Sequence, residues 1–214
     1  VWAPGRRPRG RGPRPGTPAG RLQATLELRQ DVDSDPRPLD GVVSAWFRAR
    51  RYIRDRDRGL ILEGFYGLLR CHARLGWWLE RHGRPGAARD RLLAWLMLED
   101  GKTADQLRGL FTGGQFAPAP MTAHERTLIA KLQGRVLDHP SMPDEVRGEC
   151  PSWAAEPLRR RFGEAFAGEM AAMLTPAPLD LRINPLKTTR EAAIDGLRDQ
   201  GLEAEPCRLA PYGV

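Results

Sequence analysis

Six arginines crowd positions 48 to 58: Arg48, Arg50, Arg51, Arg54, Arg56 and Arg58, interrupted by Asp55 and Asp57. A guanidinium offers paired N–H donors that match the oxygens of a phosphate, so such a cluster can hold several phosphates of a nucleic acid. Trp46 and Tyr52 stand close enough in sequence to stack on an exposed base, although the apolar pattern points Trp46 inward. The same residues also describe a solvated helix face neutralised by its own aspartates. Arg50, Arg51, Arg54 and Arg58 are the RNA-binding candidates of this region. A second basic run, Arg159-Arg160-Arg161, is explained more simply by a helix end, where cations favour the negative pole of the dipole.

Residue types that carry covalent or metal chemistry are present without the spacing such chemistry needs. Cys71, Cys150 and Cys207 are far apart and form no C-x-x-C, so neither a disulfide framework nor a zinc site follows. His72, His82, His124 and His139 have no ligand spacing. No G-x-G-x-x-G follows a strand, and P-loop, H-E-x-x-H, G-x-S-x-G and zinc-deaminase patterns are all missing. Gly113-Gly114 falls between two helices, so it is no phosphate loop. No catalytic, cofactor-binding or metal-binding residue is assigned.

Hydrophobic residues make up 41% of the 214 and charged residues 29%, the balance of a globular protein. The longest apolar run, 92–98, is far short of the ~20 residues of a membrane span. Uncoupled cysteines and the lack of a secretory segment point to a reducing cytoplasm and no membrane partner. Of the formal +7 charge, five arginines lie in residues 1–20, where there is no acid; setting them aside leaves 29 basic against 27 acidic residues. The body is therefore close to neutral, and residues 1–20, rich in Arg, Pro and Gly, are expected to be a disordered leader.

From residue 21 the apolar period is that of helices. Val42, Val43, Trp46 and Phe47 share one helix face. Leu60, Ile61, Phe65, Leu68 and Leu69 mark another, with Asp57 as its cap, running on through Leu75 and Leu79. Gly83 to Gly86 is a break. The segment 87–98 is apolar enough for the middle of a bundle, with Trp77, Trp78 and Trp95 in the core. Residues 105–111 form a short helix, and Thr122-Ala-His-Glu125 is a capping box opening the next. Short connections imply an antiparallel bundle over 21–138, a helical linker over 139–175 and a Pro-containing joint at 175–178. At Leu179 the period changes to two: Leu179, Leu181 and Ile183 alternate with polar residues, as in a strand. A helix from the Thr188–Glu191 box and a returning strand over 203–209 complete a βαβ pattern. The expected class is mainly α, a helical bundle followed by an incomplete α+β module over 176–214. The unfinished βαβ unit and the initial Val suggest the front part of a longer protein.

Four phrases occur together: RARRYIRDRDRGLILEGFYGLLR (48–70), LFTGGQFAPAP (110–120), HPSMPDEVRGECPSW (139–153) and APLDLRINPLKTTREAAIDGLRDQGLEAEP (177–206). In this order they resemble the N-terminal half of the RsmB/Sun family of S-adenosylmethionine (SAM)-dependent rRNA cytosine-5 methyltransferases. The resemblance implies a NusB-like RNA-binding bundle, an RRM-like module and a Rossmann-type catalytic domain, the last absent here. It implies ribosomal RNA and the C-terminal methyltransferase domain in cis as partners, a monomer, and SAM as cofactor of the full-length protein. In that chemistry one cysteine thiolate adds to C6 of cytosine and a second helps release the product. None of Cys71, Cys150 or Cys207 stands in a matching motif, so no catalytic role is carried over. Arg182, Asn184 and Lys187, in the LRINPLK strand motif, are the implied substrate-contact or interface residues. The fragment is expected to bind RNA and to be inactive by itself. A non-enzymatic NusB-like RNA-binding or transcription adaptor is the alternative.

Overall fold

The computed structural model describes residues 16–84, 86–175 and 179–214. They divide into two compact units, one ending at Leu174 and the other spanning Thr175–Val214. The expected leader lies mostly outside the described residues. So do residues 176–178 of the Pro-containing joint.

The first unit is helical. Helix α1 (Pro18–Ser34) starts inside the expected leader: Thr17 accepts a hydrogen bond from the Gly20 amide at 3.0 Å, and Pro18 at the first helical position loses no bond. Helices α2 (Leu39–Ala49) and α3 (Asp55–Arg70) pack with α1 around Ala24, Leu28, Val43, Trp46, Phe47, Ile61 and Phe65, all buried. Helix α4 (His72–Arg81) follows, then α5 (Ala88–Leu98), whose Leu92, Leu93, Ala94 and Leu96 are buried as a central helix requires. Helices α6 (Ala104–Leu110) and α7 (Ala123–Leu132) close a second core with Leu75, Leu79, Leu107, Leu128 and Leu132. Each such leucine contributes about 1.5–3 kcal/mol by leaving water. Gly67 permits the approach of α3 to α5: a Cβ there would come within 2.8 Å of the Trp95 ring. Trp78 is buried and donates its indole N–H to the Leu137 carbonyl at 2.8 Å, while Trp77 and Trp95 are partly buried.

Two helix expectations differ from the structure. Asp57 does not cap α3: Arg54 holds the N-cap position, and Asp57 pairs with Arg21 of α1 at 3.1 Å. The helix expected to run from Leu60 through Leu79 breaks at Cys71. A distant carboxylate makes the second start possible. Glu149 accepts hydrogen bonds from the Ala73 and Arg74 amides at 2.6 and 3.1 Å and from Arg74 Nε at 3.0 Å. Those amides are orphans of a helix N-terminus, so the carboxylate both satisfies them and meets the positive dipole end. Glu149 has a φ of 52°, a left-handed conformation unusual for a side chain of its type.

The unit ends with α8 (Asp144–Arg147), α9 (Ser152–Phe162) and α10 (Phe166–Leu174), joined by a 3-10 turn at Gly163–Ala165. Cys150, Ala154, Ala155, Phe166 and Met170 form their own small core.

The second unit contains helix α11 (Arg190–Asp199) and an antiparallel contact. Leu181 and Val214 exchange both backbone bonds at 2.7 and 2.9 Å, and Ile183 donates to the Tyr212 carbonyl at 2.9 Å. Ile183, Ile194 and Val214 are buried together. The pairing amounts to an isolated bridge between Arg182 and Gly213, and no strand is formed among the described residues. The returning segment therefore lies at 212–214, not at 203–209. Pro206 has no N–H to give a ladder, and the Cys207 amide bonds to the Gly213 carbonyl at 3.0 Å, which holds 207–213 as a loop. The N-cap of α11 is Thr189, whose hydroxyl accepts from the Ala192 amide, so Glu191 stands one position too early for a capping box.

Candidate nucleic-acid interface

The arginine cluster occupies the corner where α2 ends and α3 begins. Arg50 is the C-cap of α2 and lies over the Trp46 ring, 4.0 Å from its centre, with Asp31 4.0 Å away. Its charge is partly committed to the fold. Arg58 stacks on Phe47 at 4.9 Å. Arg51, Arg54 and Arg56 are exposed and form no ion pair among the described residues. The aspartates within the cluster do not neutralise it: Asp57 turns to Arg21, and Asp55 lies exposed in the first turn of α3. Tyr52, 49% exposed, stands in the same corner, whereas Trp46 is buried, as its period indicated. The corner thus joins solvent-facing guanidiniums to one accessible ring, the combination that a single strand of RNA uses for backbone and base.

Arg182, Asn184 and Lys187 fall in the second unit. Arg182 and Lys187 are exposed. Asn184 has a local task, because its Oδ1 accepts from the Leu186 amide at 3.0 Å and its carbonyl from those of Lys187 and Thr188. That Asx turn carries the chain from the paired segment into α11. The run at 159–161 is largely spent inside the first unit: Arg159 binds Glu145 and covers Phe166, and Arg160 pairs with Glu156 at 3.3 Å.

Two of the three thiols are shifted away from the reactive thiolate form. Burial pushes the Cys71 thiol up to about 11, and the hydrogen-bonded Asp180 carboxylate raises that of Cys207. A nucleophilic cysteine needs the opposite shift. The described residues contain no cluster of His, Cys, Asp or Glu able to hold a metal ion, and none of their helices is long and apolar enough to cross a membrane. The Gly113-Gly114 pair is closed by a bond from the Gly113 amide to the Pro118 carbonyl, in a connection between helices. Among the described residues no glycine-rich turn leads out of a strand, the arrangement that doubly wound folds use to hold a nucleotide-type cofactor.

Residues 150–214 match the family described as Methyltr_RsmF/B-like, ferredoxin-like domain. That segment takes in α9, α10 and the whole second unit. Two curated relatives, both named ribosomal RNA small subunit methyltransferase B and both from Xylella fastidiosa (strains 9a5c and Temecula1 / ATCC 700964), are 38% identical over 64 residues. The matched stretch is 30% of this chain and spans 15% of each relative's length.

Proposed function

Because residues 150–214 relate this chain to the RsmB/Sun family, we propose that it is the substrate-holding part of a SAM-dependent rRNA cytosine-5 methyltransferase. The observation that carries this is the match of residues 150–214 to the RsmF/B-like ferredoxin-like domain, beside the 38% identity over 64 residues to two proteins named ribosomal RNA small subunit methyltransferase B. The helical unit, NusB-like in this proposal, supplies affinity through the arginine corner. The second unit is an RRM-like or ferredoxin-like module that presents Arg182 and Lys187, on either side of Asn184, to solvent. In this reading the methyl donor and the nucleophilic cysteine belong to a part of the enzyme other than these two units, and the raised thiols of Cys71 and Cys207 agree with that. By itself the chain binds ribosomal RNA and transfers no methyl group.

Two measurements on the purified chain test this. Binding to small-subunit ribosomal RNA should weaken steeply as salt rises, because cations that neutralise phosphates release counterions. Incubation with labelled SAM and the same RNA should leave the RNA unlabelled. Methyl incorporation would overturn the division of labour, and salt-independent or absent binding would overturn the RNA-holding role.

A further inference from the structure

The paired segment of the second unit has one open side. Leu181 exchanges both main-chain bonds with Val214, and Ile183 donates to Tyr212. In an antiparallel pair, the residue between two such bonds turns its own N–H and C=O toward the opposite edge. Arg182 is that residue, facing Gly213, and Asp180 stands in phase with it two positions earlier. The main-chain groups of both are without a partner among the described residues. The edge is also accessible: Asp180 and Arg182 are exposed, and Leu179 and Leu181 are 81% and 43% exposed. Those two leucines line a mainly apolar groove with Leu197, Leu209 and Tyr212.

The residues of this edge are complementary to themselves. Set antiparallel against a second copy with Leu181 facing Leu181, the segment places Asp180 opposite Arg182 on both sides of the centre and Leu179 opposite Ile183. The period of two keeps the leucines on one face and the charges on the other. The outward main-chain groups are those of 180 and 182, so each Asp180–Arg182 pair can exchange both N–H···O bonds while its side chains form a cross-strand ion pair. A shift of one residue sets leucines against charges. A shift of two sets Arg182 against Arg182, or Asp180 against Asp180, and like charges directly opposite are repelled. Both charges are available: Arg182 has no ion-pair partner among the described residues, and Asp180 holds only the Cys207 thiol, at 3.2 Å.

We propose that a second copy of this chain adds its 179–183 segment to this edge, giving a two-fold dimer by antiparallel strand pairing. The charge register selects the partner, since an arbitrary apolar strand does not bring a carboxylate to Arg182 and a guanidinium to Asp180 together. The surface is short, so association is weak and depends on concentration. The dimer departs from the monomer that the family resemblance implies, and it stands or falls separately from the RNA-holding role.

Sedimentation velocity of the whole chain over a range of concentrations, without RNA, should show a reversible monomer–dimer equilibrium. Charge variants separate this interface from general association of apolar surface. Asp180→Arg and Arg182→Asp each set like charges against one another and should weaken the dimer at least about tenfold. Mixed in equal amounts, the two variants pair Arg with Asp at every position, and the dimer should return as a heterodimer. A chain carrying both changes swaps the charges and should dimerise by itself. Return of the dimer in either case supports the register and shows that the variants fold. A native chain that stays monomeric at every concentration would overturn the proposal. Association that both single variants retain would overturn it too, by marking a different surface. So would the failure of both the mixture and the doubly changed chain to associate. Because RNA is absent throughout, a loss of RNA binding at Arg182 leaves this result untouched.

Discussion

At the scale of single residues, the six clustered arginines are not equivalent. Arg50 is anchored on Trp46 beside Asp31, and Arg58 leans on Phe47, so part of each side chain serves the fold. Arg51 and Arg54 have no such duty. Arg51→Ala and Arg54→Ala should each leave the melting temperature unchanged and lower the salt slope of RNA binding by roughly one unit. Arg50→Ala should do the reverse in emphasis, costing about 0.5–1 kcal/mol of stability through the lost stacking with a smaller effect on RNA. Filter binding at several salt concentrations, beside thermal melts, separates the two patterns. Equal slopes for all three variants would place the cluster away from RNA. The cluster was visible in sequence because its residues are contiguous; the sorting of its members was not, since it depends on Asp57 turning to Arg21, 36 residues away.

At the scale of elements, the features set by neighbouring residues are the ones legible in the sequence. The apolar segment 87–98 became the central helix, and the Thr122 box is present with both of its hydrogen bonds. The break at Cys71 was not legible. It depends on Glu149 reaching the α4 amides from 76 residues downstream, and no periodicity in 60–79 announces it. Arg74 and Glu149 are both largely buried, with 13% and 10% of their side chains exposed. Removing the carboxylate strips three bonds and leaves Asp138, 2.9 Å away on the exposed side, as the ion-pair partner of Arg74. Glu149→Ala should therefore cost about 3 kcal/mol, and hydrogen exchange at the Ala73 and Arg74 amides should speed up. Exchange rates that stay native would show that α4 starts without its distant cap.

At the scale of the whole molecule, the two units differ in how much core they own. The first has three buried clusters within residues up to Leu174, whereas the second rests on Ile183, Ile194 and Val214. The change of period at Leu179 predicts a half-buried strand with Leu179, Leu181 and Ile183 on its inner face; of the three only Ile183 is buried and the pairing stops at one bridge, and the partner of Leu181 could not be read. Alternation identifies a face; it does not say which later residues will pair with it. Around that single bridge, Leu179, Leu186 and Leu209 are 81%, 94% and 98% exposed. Unpaired backbone beside exposed leucines is a template for association between chains. A chain ending at Leu174 keeps every cluster of the first unit and loses this surface. It should melt within a few degrees of the full chain's main transition and scatter less light on heating. Comparable aggregation of the two, at equal concentration, would show that the second unit protects its own edges.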